Sequence, residues 1–325
     1  MQYTLTLKIC KGRVKIISIN FIGILILNKF VYFNNKARIM KLIDVQVMYS
    51  PNYALESIVN IKDKSFGSMI GSISNFFPSL KAAFQGGLDS ISQLKTIPNS
   101  LISSISGLNS FFTSYKEVSY DDFKELSRIK LVTPESFTGN LYEYSEFVKN
   151  SWVFLDLKFI PELDNYYAQL AAFATNKEAK LSIVDKSASY LDLQKTYQSL
   201  VKESTTYFGD NLHNKRTAQL GTLFADFQQF KNYESTTLEL ARGLSNSKIN
   251  SMVSRVKKIN DVLGIIIEEA KNKNYDKASY ETVKSLATGV FALAEIVEFF
   301  SVTYYRITEL AHVVKENRDI LKKLK

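Results

Sequence analysis

Between Val283 and Leu321 the apolar residues fall at alternating spacings of three and four. They are Val283, Leu286, Val290, Leu293, Val297, Phe300, Tyr304, Ile307, Ala311, Val314 and Leu321, with Arg318 standing where an apolar residue belongs. A stripe of that period lies along one side of an α-helix and must be covered by another helix. With Asp276 or Ser279 as its cap, the helix has about 45 residues and is roughly 68 Å long. The helix before it carries Ile249, Met252, Val256, Ile259, Leu263, Ile266 and Ala270. It is shorter, at about 25 residues, and a polar loop, Lys271 to Tyr275, joins the two, so they are expected to pack antiparallel as an unequal hairpin. Roughly half of the final seam then needs a further cover. That cover is either the helix expected over residues 214–244 or a second subunit. The candidate interface residues are Phe299, Phe300, Tyr304, Ile307, Val314 and Leu321.

The same periodicity extends upstream. Tyr190, Leu193, Tyr197, Leu200, Ser204 and Tyr207 mark one helix ending near Gly209, and Leu220, Leu223, Phe227, Phe230, Tyr233, Leu240 and Leu244 mark the next. Pro161 suits the first turn of a helix running to about Ala174. Tyr120 to Ser127 reads as a short helix capped by Ser119 or Asp121. Strands are expected where apolar residues alternate: Ile43, Val45, Val47 and Tyr49; Arg128 to Val132; and Trp152 to Ile160, where Val153, Leu155, Leu157 and Phe159 alternate with polar neighbours. The fold class is therefore mainly α: an elongated antiparallel helical bundle with a long C-terminal helical hairpin and a small β element in the N-terminal half. Three regions are expected: an N-terminal extension over 1–39, an N-terminal region over 40–160, and the helical bundle over 161–325.

The formal charge of +9 invites a nucleic-acid reading, which its placement undoes. Residues 1–40 hold Lys8, Lys11, Arg13, Lys15, Lys29, Lys36 and Arg38 and no acid, leaving +2 for the rest of the chain. A groove that tracks phosphates needs clustered Lys and Arg on the folded body. The basic start and the apolar run Ile16 to Leu27 outline a signal peptide or anchor. Ser18 and Asn20 interrupt that run, and its length falls well short of the roughly 20 residues that span a bilayer. A second reading starts the natural chain at Met40, with 1–39 translated from upstream sequence, and a third makes the stretch an ordered strand or helix.

From Ser65 to Tyr115 the only charged residues are Lys81, Asp89 and Lys95. Phe66, Ile70, Ile73, Phe77, Leu80, Phe84, Leu88, Ile91 and Leu94 keep helical spacing, and Pro78 and Gly86-Gly87 are expected to break the run into short helices. Such a segment is either buried between helices or subunits, or inserts into lipid through Phe66, Ile70, Ile73, Phe77, Leu80 and Phe84.

Signals for chemistry are missing from the sequence. Phosphate-binding loops, dinucleotide glycine patterns, nucleophile elbows and His-Glu-x-x-His helices do not occur. One cysteine, Cys10, forms no internal disulfide framework, and His213 and His312 match no zinc spacing. Glu309 stands three residues before His312, but a carboxylate-bridged di-iron site needs two Glu-x-x-His motifs. His213 reads as a solvated or capping residue and His312 as a packing or interface residue. Glu162 and Asp164 suit the start of a helix, where acids favour the dipole, and Glu268-Glu269 read as solvated. No catalytic, cofactor-binding or metal-ligating residue is assigned. The expectation is a non-enzymatic protein that works by packing and self-association, with membrane contact through residues 65–115 as the alternative.

A low-charge Ser/Gly/Phe segment followed by long antiparallel helices, over residues 60–325, resembles the helical virion structural proteins of large tailed phages. That likeness is one of texture. It implies an assembly role with protein partners, in a virion or a host cytoplasm. Long helices beside an apolar segment are also similar to α-helical pore-forming toxins, although here the apolar segment precedes the bundle.

Overall fold

The structure, a computed structural model, describes residues 7–10, 13–16, 66–94, 120–175, 187–208, 216–272 and 290–322. The chain divides into two units, Met1–Met48 and Tyr49–Lys325. In the first, β1 (Leu7–Cys10) and β2 (Arg13–Ile16) pair antiparallel, with Leu7 opposite Ile16. The strand expected around Ile43 to Tyr49 lies outside the described residues, as do residues 273–289, which hold most of the expected Lys271 to Tyr275 loop and the start of the last helix. All other described residues belong to the second unit.

Its elements are α1 (Phe66–Gln93), α2 (Tyr120–Leu126), β3 (Lys130–Val132), α3 (Leu141–Phe154), a π-helical turn (Leu155–Phe159), α4 (Ile160–Thr175) and α5 (Ser187–Ser204). They are followed by β4 (Thr217–Gln219), α6 (Leu220–Leu223), α7 (Phe227–Gly243), α8 (Asn246–Lys271) and α9 (Val290–Lys322). The fold is mainly α with a small β element, as the periodicity predicts. At residue 160, where a region boundary was expected, α3, the π-turn and α4 run on without a break.

The apolar stripe of α9 belongs to a central helix. Packed around it are α1, α3, α5, α7 and β3 of the same chain. Phe299, Phe300, Tyr304, Ile307 and Val314 are all buried, and Leu321 is partly so. Burial also takes in residues off the stripe, including Ser301, Val302, Thr303 and Thr308. A two-helix seam would leave such positions in water. Of the three buried hydroxyls, that of Thr308 bonds within its own helix, Oγ1 donating to the Tyr304 carbonyl at 3.1 Å, whereas those of Ser301 and Thr303 have no hydrogen-bond partner.

Among the described residues the last two long helices make no extensive contact with each other, and the part of the expected hairpin nearest its loop lies outside them. α1 contacts both α8 and α9 extensively. Phe77, Leu80, Phe84 and Ile91 are fully buried there, whereas the side chains of Phe66, Ile70 and Ile73 lie outside the described residues. Between α1 and α8, Asn260 Nδ2 donates to Gln85 Oε1 at 3.2 Å.

Contrary to the expected breaks, α1 continues through both Pro78 and the glycine pair. A proline inside a helix costs about 3 kcal/mol, and burying a single large apolar side chain recovers roughly 1.5–3 kcal/mol. Four such side chains on one helix face outweigh it. The two glycines differ in role. A Cβ on Gly87 would stand 2.6 Å from Val297 Cγ1, whereas one on Gly86 would meet nothing within 4 Å. Gly87 therefore sets how closely α1 approaches α9. Gly86→Ala should stabilise the fold by about 0.5–1 kcal/mol. Gly87→Ala should destabilise it by about 1–3 kcal/mol through overpacking. Urea unfolding of the two variants tests this, and equal midpoints would contradict the account.

The expected strand over Trp152–Ile160 is helical. Its alternation has another origin: Leu155 and Phe159 are four residues apart and face the core, while Val153 and Leu157, also four apart, face solvent. Two such pairs offset by two residues mimic a period of two. The π-turn is real in its bonding, since the Ile160 N–H reaches the Leu155 carbonyl. It lies where Pro161 lacks an N–H and would crowd the carbonyl four residues back, and the wider turn accommodates that ring. Asn140 starts this long helix by accepting hydrogen bonds from the Tyr142 and Glu143 N–H groups at 2.9 and 3.2 Å.

The expected helix over 214–244 is interrupted. β4 pairs antiparallel with β3, with Leu131 opposite Ala218, and a break at Phe224–Asp226 separates α6 from α7. Asp226 caps α7 by accepting from the Gln229 N–H at 2.7 Å, and the Gln229 side chain accepts from the Ala225 N–H at 2.9 Å. The pattern resembles a capping box over Asp226-Phe227-Gln228-Gln229, with the Gln229 side chain reaching back one residue further, to the N–H before the cap. The other edge of β3 meets α9: Asn317 Oδ1 accepts from the Val132 N–H at 2.6 Å, and its Nδ2 donates to the Val132 carbonyl at 3.0 Å. One amide thus stands in for a neighbouring strand and closes the edge.

Candidate functional site

Beside its apolar stripe α9 carries a second stripe at three-four spacing: Glu295, Glu298, Val302, Arg306 and Glu309. α5 covers part of it, with Tyr197 edge-on against Phe299 at 5.5 Å and within electrostatic reach of Glu295, Glu298 and Arg306. Burial pushes the Glu295 carboxyl up to about 7, and neighbouring Glu298 adds to the rise. Glu298 is raised by burial as well. Glu309 is also pushed up to about 7 by burial, against the pull of a hydrogen bond from the Glu135 backbone and of the Arg306 charge.

Arg306 is 2% exposed, and its guanidinium lies over the Phe147 ring at 5.5 Å. Around Phe147 the rings of Phe137, Tyr144, Tyr207 and Phe208 form one cluster, with Tyr144 at 5.2 to 6.2 Å from the other four. This cluster draws on α3, on the turn before it, and on the chain after α5. The isolated bridge between Phe137 and Phe208 holds it together.

Further along, Arg318 occupies the seam position where an apolar residue belongs. It donates to Glu234 Oε1 on α7 at 3.0 Å, with the two side chains 2% and 1% exposed. Burial raises the Glu234 carboxyl, and the charge and hydrogen bond of Arg318 oppose that rise. The sequence flagged Arg318 as an exception in the stripe but held no sign of its partner 84 positions away. Arg306 was missed; its only signal is a lone cation in the otherwise uncharged run from Phe299 to Thr308.

The remaining sequence candidates are not brought together. His312 is exposed on α9 and is not a packing residue. His213 lies outside the described residues. Asp164 pairs with Arg255 at 2.7 Å on the surface, and Lys248 bonds Asp156 at 3.1 Å while lying over Trp152. Among the described residues, no three His, Cys, Asp or Glu side chains are grouped as a metal site would require. Also among them, no helix is long and apolar enough to cross a membrane. No protein-family model, curated protein or solved structure matches the chain.

Proposed function

We propose that the protein is a non-enzymatic structural or assembly component that acts through contacts between preformed helices, in the setting of a virion. The observation that carries this reading is the pair Val153 and Leu157. They stand one turn apart at the π-turn, 44% and 70% exposed, on a helix whose opposite face is packed into the core. With the α9 stripe consumed inside the chain, this helix face is the place for self-association. The likeness in texture to phage virion proteins supports the class and says nothing of the partner.

Light scattering after size exclusion tests the proposal. The intact chain should run as an oligomer, and the double variant Val153→Asp, Leu157→Asp should run as a folded monomer with unchanged helicity. An intact chain that stays monomeric at about 100 µM, a concentration well above typical micromolar affinities, would refute self-association. Phe300→Asp is unsuitable for this purpose, because Phe300 lies in the core. Membrane insertion through α1 would first require Phe77, Leu80 and Phe84 to leave their packed positions.

A further inference from the structure

Inside the aromatic cluster Arg306 is a cation without a counter-charge in contact. Nε, Nη1 and Nη2 are buried, and none has a hydrogen-bond partner. The Tyr144 hydroxyl, buried one turn before Phe147 on α3, is also without a partner. So is the Thr303 hydroxyl, one turn before Arg306 on α9. The nearest acid on the same helix, Glu309, is engaged by the Glu135 backbone. The other buried arginine, Arg318, shows what this chain does when it compensates a cation internally: it supplies Glu234 at 3.0 Å.

An arginine cannot escape this position by losing its proton. Stacking on Phe147 returns up to about 2 kcal/mol in a desolvated site. The desolvation penalty for a buried ion is several kcal/mol, so the ring alone does not balance it. The unpartnered guanidinium fork donates only, and the Tyr144 hydroxyl, which lies within electrostatic reach of it, is free to donate as well. A water molecule there would bring two hydrogens of its own and no charge. A species that only accepts and carries negative charge satisfies both needs.

We infer that Arg306, with Tyr144, binds a small oxyanion of the carboxylate or phosphate class in the interior of the bundle. Two oxygens of such a group match the guanidinium fork. Tyr207 and Phe208, both half-buried, form the side of the cluster nearest solvent and give the anion its approach.

The test is thermal unfolding of the full chain at constant ionic strength, with inorganic phosphate in one arm and acetate in another. A saturable rise in Tm of several degrees in one arm is expected, and the responding arm identifies the class. Arg306→Met should lose that response while melting at the same temperature as the anion-free parent, or higher. Glu309→Gln should keep the response. Equal responses in the parent and Arg306→Met would overturn the inference, as would no response to either anion. So would a loss of stability and response in Glu309→Gln, which would make Glu309 the counter-ion. If Arg306→Met fails to fold, bromide soaked into crystals of the unaltered protein decides. An anomalous peak in contact with the guanidinium supports the site, and its absence overturns it.

Discussion

Arg318→Met should lower the free energy of unfolding by about 3–5 kcal/mol, the usual cost of removing one partner of a buried ion pair. The reason lies in what remains. Glu234 is 1% exposed, and without Arg318 its carboxylate has no cation opposing the burial that already raises it. The group must take up a proton or the surrounding helices must loosen. Replacing both partners should cost much less, because the double variant Glu234→Gln, Arg318→Met leaves no ionised group in the pocket. Urea unfolding of the two single variants and the double variant measures the coupling. If the double variant loses the sum of the single losses, the pair is not the unit of stability and packing around α9 accounts for the effect.

A second large effect is expected with pH. Glu295 and Glu309 are both held near 7 in the fold, while in the unfolded chain they return to their ordinary value of 4.5. Between those values the folded state binds more protons than the unfolded state, so stability falls as pH rises. The contribution is fully present below about 4.5 and is lost as pH climbs through 7. A tenfold difference in proton affinity between the two states corresponds to about 1.4 kcal/mol. Allowing for residual solvent contact, the two groups together account for a loss on the order of 3–5 kcal/mol from their own titration. The urea midpoint should therefore be higher at pH 5.5 than at pH 8. The double variant Glu295→Gln, Glu309→Gln should flatten that slope and raise the midpoint at pH 8. A parent whose midpoint rises steadily with pH over this range would contradict the burial of these acids.

Local signals in the chain were readable where the physics is local. The stripes over 249–270 and 283–321 predict α8 and α9, because a helix period of 3.6 is imposed by the backbone whatever surrounds it. The break before α7 was also present in the sequence, in the capping pattern from Asp226 to Gln229, yet the run of apolar spacings across it concealed the signal. At Trp152–Ile160 the error was one of period. Two i, i+4 pairs offset by two residues look like alternation in a window that short. Pro78 misled for a different reason: its penalty is local, but the burial that outweighs it comes from α8 and α9, far along the chain.

The candidate site was less legible than the fold. A charge on an apolar stripe marks a buried ion at Arg318, but nothing short of the packed structure pairs it with Glu234. Arg306 leaves a weaker mark still, because it sits off the stripe, where arginine is ordinary on an exposed helix face. Only when α3 and α5 close over that face does it become a cation inside a ring of Phe137, Tyr144, Phe147, Tyr207 and Phe208.

From residue order alone came the helical period of α5, α7, α8 and α9 and the need for cover along α9, since these follow from side-chain spacing. Which helix provides that cover was settled in three dimensions. The stripe accepts any complementary apolar face, and α8, a neighbour in sequence, was as suitable by pattern as α1. Among the described residues α1 is the helix that takes the largest share of that cover, and the missing side chain of Gly87 lets it approach α9 closely at Val297.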